Sequence, residues 1–137
     1  MILLDGKSLF SKIKIDLYNE VKLLVNNKQR APHLAAILVG DNPASETYVN
    51  AKVKACKEIG FKSSVIKYPT TVLENELLLK IEEINQNNDI DGLIVQLPLP
   101  NHINPNVITH AISHIKDVDG FHPINIGRMS LGLPCYL

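Results

Sequence analysis

Apolar positions form two kinds of pattern along the chain. Four segments repeat apolar residues every three or four positions, which predicts amphipathic helices over residues 7–27, up to residue 59, over 71–87 and over 104–112. Gly60 is a natural end for the second helix. Thr71 with Glu74 three residues later predicts a capping box, and Asn104 followed by Pro105 predicts the start of the fourth helix.

Three strands are predicted between these helices. Residues 33–39 and 92–97 are nearly continuous apolar runs, as strands buried on both faces are. Residues 61–68 are more mixed, which favours a position nearer the sheet edge. The alternation of helices and strands predicts an α/β fold, a three-layer α/β/α domain with a mostly parallel sheet.

Composition narrows the class of protein. The chain has 137 residues and a formal net charge of zero, which argues against a nucleic-acid surface. It lacks an apolar run near the roughly 18 residues that span a membrane, and its opening MILLDGKSLF is too short and too soon charged for a signal peptide. Two cysteines predict no disulfide framework, so we expect a cytoplasmic protein.

The stretch GDNPASETYVNAK, residues 40–52, carries the first candidate chemistry. On a helix, Ser45, Tyr48 and Lys52 fall within roughly 80° of one another, while Lys54 and Lys57 lie on the opposite, solvent side. One interpretation is a lysine whose stem packs on apolar surface while its ammonium reaches water. The other is a reactive amine at the core edge, where desolvation disfavours the charged form and permits proton transfer near neutral pH.

Tyr-x-x-x-Lys is also the spacing of short-chain dehydrogenases, which need a glycine-rich dinucleotide loop. The chain contains neither G-x-G-x-x-G nor G-x-x-x-x-G-K-[ST], so the sequence does not support that class.

Two further clusters follow strands or turns. In IVQLPLP, Gln96 ends a buried strand, where an amide can orient a nearby amine without neutralising it, or can bond loop backbone. In KDVDGFHPINIG, Asp117 is predicted to hold the Asp-Gly turn, and Asp119 to offer a carboxylate to a ring with several N–H donors. His122 precedes a proline and is interpreted as structural. A metal site is not predicted, because the carboxylates are few and no histidine has ligand spacing.

The segments VGDNPASETYVNAK, DGLIVQLPLP and KDVDGFHPINIGR together resemble the bifunctional methylenetetrahydrofolate dehydrogenase/methenyltetrahydrofolate cyclohydrolase family. The resemblance implies a catalytic α/β domain facing a Rossmann NAD(P) domain, with tetrahydrofolate derivatives bound between them. It implies oxidation of methylenetetrahydrofolate with NADP, then hydrolysis of the methenyl product to 10-formyltetrahydrofolate. The site residues that it implies are the catalytic Lys52, Tyr48 and Gln96 and the substrate-binding Tyr48, Ser45 and Asp119.

The resemblance also sets expectations for organisation. Residues 1–120 are expected to form the catalytic domain and residues 121–137 a truncated linker toward a missing NAD(P)-binding domain. Pro134-Cys135 matches the family's PCTP segment, whereas Tyr136 and Leu137 depart from it. The family is homodimeric through contacts largely in the missing domain, so dimerisation is expected to be lost with it. Two alternatives remain open: an inactive folate-binding or regulatory fragment, and an interaction domain without a small-molecule site.

Overall fold

A computed structural model describes residues 5–135, so the first four residues of the expected catalytic domain and the departure at Tyr136 and Leu137 lie outside the described residues. The described chain alternates helices and strands. The elements in chain order are α1 Gly6–Asn26, β1 His33–Val39, α2 Pro43–Ile59, β2 Lys62–Tyr68, α3 Glu74–Gln86, β3 Gly92–Val95, α4 Pro105–Ala111 and α5 Pro123–Ser130.

The three strands form one parallel sheet in the order β2-β1-β3. β1 pairs with β2 from His33↔Lys62 to Val39↔Tyr68, and with β3 from Leu34↔Gly92 onward. The expected edge position of β2 is confirmed, and its less apolar sequence fits its partly exposed faces. Beyond β3, Asp117 forms an isolated parallel bridge with Leu93, which joins the segment before α5 to the sheet.

Successive side chains of β1 enter two separate apolar clusters, because side chains alternate across a strand. One cluster joins Ala35, Ile37 and Val39 to α3 and α4, and the other joins Ala36 and Leu38 to Val49 of α2. Helices therefore cover both faces, with α1 packed on α2. The predicted three-layer α/β/α architecture is confirmed.

Most predicted helix ends are also confirmed. Asn42 caps α2 by accepting from the backbone N–H groups of Ala44 and Ser45, and Gly60 ends α2 in the left-handed conformation with φ 85°. Asn104 caps α4, and Pro105 occupies its first turn.

The capping box predicted at Thr71 is wrong. α3 begins at Glu74, and its N-cap residue Leu73 makes no side-chain capping bond. The Glu74 carboxylate instead accepts the backbone N–H of Asn104 at 2.6 Å, thirty residues away. A tertiary partner therefore replaces the local partner that the sequence pattern suggested.

Residues 121–137, expected to be a linker, include the helix α5. His122 is its N-cap residue and accepts the Ile124 N–H on Nδ1, which supports the structural interpretation of this histidine. Asn125 of α5 is fully buried. The signal for this helix was Pro123, a residue favoured in the first turn. The domain boundary at residue 120 stays a prediction.

None of the helices within residues 5–135 is both long enough and apolar enough to cross a membrane.

Candidate active site

The sheet's carboxyl end brings the start of α2 against the loop that follows β3. Gln96 comes directly after β3, and its backbone N–H donates to Ile37 O of β1 at 2.9 Å. The hydroxyl of Ser45, in the first turn of α2, donates to Leu97 O at 3.4 Å. Ligands of parallel α/β sheets bind at this end of the strands.

Lys52 projects from α2 toward two oxygen acceptors. Its Nζ lies 3.5 Å from Gln96 Oε1 and 3.8 Å from Asp119 Oδ1. The side chains of Lys52 and Asp119 are 35% and 31% exposed, so the pair is within reach of solvent and of a ligand. The structure therefore brings together three residues that lie far apart in the sequence.

The orientation of the Gln96 amide follows from its two neighbours. Its Nε2 donates to Leu97 O at 2.9 Å, and its Oε1 faces the Lys52 ammonium. In a flipped amide, Oε1 would face Leu97 O and Nε2 would face the Lys52 ammonium, and neither pair can form a hydrogen bond. The hydrogen bonds therefore assign this orientation. Gln96 thus presents an uncharged acceptor to Lys52 and also bonds loop backbone, so each of the two interpretations left open by the sequence describes one of its contacts.

Ser45 and Tyr48 occupy different environments on the same helix. Ser45 is 3% exposed and bonded to the loop after β3, whereas Tyr48 is 64% exposed. Lys54 and Lys57 lie on the solvent side, as expected. Tyr48 therefore offers an accessible ring one turn before Lys52, and its role stays a prediction.

Asp119 lies in a turn that Asp117 holds. The Asp117 carboxylate is 2% exposed and accepts the backbone N–H groups of Phe121 and His122 at 3.3 and 2.8 Å. The prediction that Asp117 holds this turn is confirmed. Asn125, which was not among the residues predicted from the sequence, donates from its amide to the same carboxylate at 3.0 Å. The available signal was a polar residue between Ile124 and Ile126.

The thiol of Cys56 lies one turn beyond Lys52 on α2. Burial raises the pKa of the Cys56 thiol, which favours its protonated and less nucleophilic form. Cys56 therefore packs in the interior and is not a candidate nucleophile. Across residues 5–135, no three His, Cys, Asp or Glu side chains are grouped so that they could hold a metal ion.

Two open depressions flank the chain that follows Gln96. One has a volume of about 210 Å³ and includes Asn42 and Pro98 in its lining, and the other has about 290 Å³ and includes Leu97 and Phe121. A larger depression of about 510 Å³, lined in part by Asp91 and Lys116, lies at the amino end of β3. We place the candidate site at the carboxyl end, because the lysine, amide and carboxylate converge there.

An α/β domain that presents a lysine, an amide and a carboxylate together at this end of its sheet has polar groups where such sheets bind small molecules. Comparison with known proteins identifies the class. Residues 4–119 match the family described as "Tetrahydrofolate dehydrogenase/cyclohydrolase, catalytic domain", and the chain belongs to that family.

The similar proteins are bifunctional and longer. The whole chain is 56% identical to the bifunctional protein FolD of Bacteroides fragilis and 51% identical to that of Azobacteroides pseudotrichonymphae, and it covers 47% of each. A structure of the bifunctional FolD methylenetetrahydrofolate dehydrogenase/cyclohydrolase from Campylobacter jejuni has TM-score 0.96 and 48% identity, with coverage of 100% of this chain and 49% of that one.

A FolD structure from Trypanosoma brucei, complexed with NADP and an inhibitor, has TM-score 0.89 and 32% identity, and the match covers 93% of this chain and 43% of that one. The chain thus spans about half the length of the relatives it matches. The predicted family and fold are confirmed.

Proposed function

We propose that this chain supplies the folate-binding half-site of an enzyme of one-carbon folate metabolism. The complete enzyme would oxidise 5,10-methylenetetrahydrofolate to 5,10-methenyltetrahydrofolate with NADP, and hydrolyse that product to 10-formyltetrahydrofolate. The observation that carries the proposal is the position of Lys52 between Gln96 and Asp119 at the carboxyl end of the sheet. Membership of the tetrahydrofolate dehydrogenase/cyclohydrolase family supports the choice of substrate.

The hydrolytic step suits this arrangement. The methenyl carbon is an amidinium-like electrophile, and attack by water forms a new C–O bond before the bond to one ring nitrogen breaks. We propose that the Lys52 amine removes one proton from the attacking water and delivers it to the departing nitrogen, while the remaining hydroxyl proton of the adduct is released to solvent as the formyl C=O bond forms. Gln96 would orient the amine through Oε1, which is itself fixed by the bond from Nε2 to Leu97 O.

Substrate recognition is assigned to the residues around that amine. Asp119 would accept N–H bonds from the pterin ring, since a carboxylate pairs well with adjacent donors. The exposed ring of Tyr48 would stack on the folate and place its reacting carbon against Lys52. Ser45 would support the site by joining α2 to Leu97.

The turn between β1 and α2 does not fit the pyrophosphate of a nicotinamide dinucleotide. The turn after β1 carries Gly40, but α2 then begins at Pro43, which has no N–H to offer a phosphate. We therefore propose no cofactor-binding residue in this chain and derive no hydride-transfer step from it. Dinucleotide binding by the complete enzyme stays a proposal, which the NADP complex of the Trypanosoma brucei relative supports.

The test is hydrolysis of 5,10-methenyltetrahydrofolate, followed by the loss of its near-ultraviolet absorbance. Lys52→Met should lower the rate by about 10²- to 10⁴-fold, the contribution typical of general acid–base catalysis. Lys54→Met is the matched control, because it removes an exposed lysine from the same helix. An unchanged rate in Lys52→Met would refute the role of this amine.

The same assay, together with a titration of tetrahydrofolate binding, separates the alternatives. A wild-type chain that binds a tetrahydrofolate but leaves the hydrolysis rate at its uncatalysed value would be an inactive folate-binding fragment. A chain that binds no tetrahydrofolate at all would be an interaction domain without this small-molecule site.

A further inference from the structure

The turn that carries Asp119 is closed by a buried carboxylate rather than by the backbone alone. Asp117 stands before the turn, and its two oxygens accept the N–H groups of Phe121 and His122 after the turn. Gly120 completes the reversal with φ 70°, a conformation that favours glycine. The position of Asp119 therefore depends on where the Asp117 carboxylate is held.

Asn125 holds that carboxylate from the side of α5. Its Nδ2 donates to Asp117 Oδ2 at 3.0 Å and to His114 O at 2.9 Å. Both partners are acceptors, so the amide has one orientation. Asn125 is 0% exposed, and a buried amide in this position has a fixed geometry.

The start of the turn is attached to the strand that precedes Gln96. Asp117 forms the isolated bridge with Leu93 of β3, and Leu93 N donates to Lys116 O at 2.8 Å. One end of the turn is thus fixed to β3, and the other end is fixed to α5 through Asp117 and Asn125. Together they place Asp119 Oδ1 at 3.8 Å from Lys52 Nζ.

We infer that Asp117 and Asn125 are positioning residues for folate recognition, and that they act through Asp119. This inference rests on the proposed function. The Asp117 carboxylate cannot serve as the folate acceptor itself, because it is 2% exposed and already accepts three N–H groups. Its bonds hold Asp119 in place before the ligand arrives, so the ligand does not have to order this turn on binding.

A purely structural role predicts a different result, and the chain offers a matched control. Asn85 holds another turn in the same way, since its Nδ2 donates to Ala111 O at 2.8 Å and its Oδ1 accepts Ser113 N–H at 2.9 Å. These bonds secure the end of α4 rather than the turn of Asp119. Asn85→Ala should therefore reduce stability without changing folate affinity.

The experiment measures the dissociation constant of 5-formyltetrahydrofolate, a stable tetrahydrofolate, for the full chain by titration calorimetry. Asn125→Ala and the isosteric Asp117→Asn should each weaken binding by about 2- to 10-fold, the effect of freeing one side chain that binding must then order. Each substitution is repeated in an Asp119→Ala background. There the effect should disappear, because the carboxylate through which both residues act is gone.

The possible results are distinct. If Asn125→Ala fails to fold, as judged by circular dichroism, Asp117→Asn decides the question. Three results would each overturn the inference and leave the proposed function standing. The first is an equal loss of affinity with and without Asp119, and the second is a loss of the same size in Asn85→Ala. The third is an unchanged affinity in Asp117→Asn. Failure of the wild-type chain to bind 5-formyltetrahydrofolate would overturn both.

Discussion

At the scale of single residues, the Gln96 amide supplies the oxygen acceptor that faces the Lys52 amine. Gln96 Oε1 is a neutral acceptor held by the bond from Nε2 to Leu97 O. A neutral acceptor orients an amine without placing a further charge beside it. Asp119, 3.8 Å from the same amine, already supplies one negative charge.

Replacing Gln96 by glutamate tests this distinction. Gln96→Glu removes the donor to Leu97 O and places a second carboxylate beside Lys52. We expect the rate of methenyltetrahydrofolate hydrolysis to fall roughly tenfold or more, because the amine loses the neutral acceptor that orients it. The hydrolysis rate, followed by the loss of near-ultraviolet absorbance, is the measurement. Gln29→Glu, an exposed change of the same charge, is the control, and an equal rate for Gln96→Glu and wild type would contradict the expectation.

At the scale of secondary-structure elements, the cap of α2 supports the helix that carries Lys52. Asn42 accepts the N–H groups of Ala44 and Ser45 at 2.9 and 3.1 Å. Asn42→Ala should lower the free energy of unfolding by about 1 kcal/mol, because two helix N–H groups lose their acceptor. Urea unfolding measures this loss. Asn42→Asp keeps an acceptor at the helix N-terminus and should stay close to wild type; equal losses in both variants would exclude capping as the cause.

A second contact between secondary-structure elements joins the amino ends of β1 and β3. Arg30 binds both carboxylate oxygens of Asp91 at 2.6 and 2.7 Å, and His33 N–H at the start of β1 donates to Asp91 at 2.8 Å. The Arg30 hydrogen bond, aided by that of His33, holds the pKa of Asp91 below its ordinary value of 3.8. The folded state therefore binds this proton less readily than the unfolded state.

The sign of the pH dependence follows from that lowered pKa. Asp91 contributes stability at pH values above 3.8, and this contribution is lost as the pH falls through the lowered value. Asp91→Asn should reduce the urea midpoint at pH 7 by a small amount, because the ion pair is partly exposed. The difference from wild type should shrink below pH 3.8. A difference that does not change with pH would contradict the ionic origin, and Asp16→Asn controls for the loss of an exposed carboxylate.

The elements that the sequence predicted correctly are those with strong periodicity. β1 and β3 are continuous apolar runs, and α1 and α2 have long apolar stripes, so local pattern is enough to locate them. The capping box at Thr71 was wrong because Glu74 bonds to Asn104, a partner distant in the sequence. α5 was missed although α4, which was predicted, is one residue shorter; Gly127 lowers the helix propensity of this segment, and its buried residue Asn125 bonds to Asp117 and His114 outside the helix.

The sequence also indicated three residues that the structure brings together. Lys52 was singled out by its side of a predicted helix, Gln96 by the end of an apolar strand and Asp119 by an Asp-Gly turn, and the family resemblance implied a common substrate. Their roles stay predictions. Asn125 was missed, since its importance comes from burial against Asp117 and His114, which no local pattern reveals.

At the scale of the whole molecule, the candidate site requires the complete fold. Lys52 comes from α2, Gln96 from the loop after β3, and Asp119 from the turn before α5. An unfolded chain separates these groups, so a ligand that contacts all three binds the folded state alone. Such a ligand stabilises the folded state by RT ln(1 + [L]/Kd), where [L] is the free ligand concentration and Kd is its dissociation constant.

The final prediction is how much a bound tetrahydrofolate raises the free energy of unfolding. At 100 times its dissociation constant, 5-formyltetrahydrofolate should add about 2.7 kcal/mol to the free energy of unfolding. For a chain of this length, that gain corresponds to a rise in Tm of roughly 5–10 °C. At the same ligand concentration the thermal shift should be smaller in Asp119→Ala, and it should not be produced by p-aminobenzoylglutamate, which lacks the pterin that Asp119 would recognise. A flat titration of the wild type would favour an interaction domain, whereas an equal shift in Asp119→Ala would place folate elsewhere on the molecule.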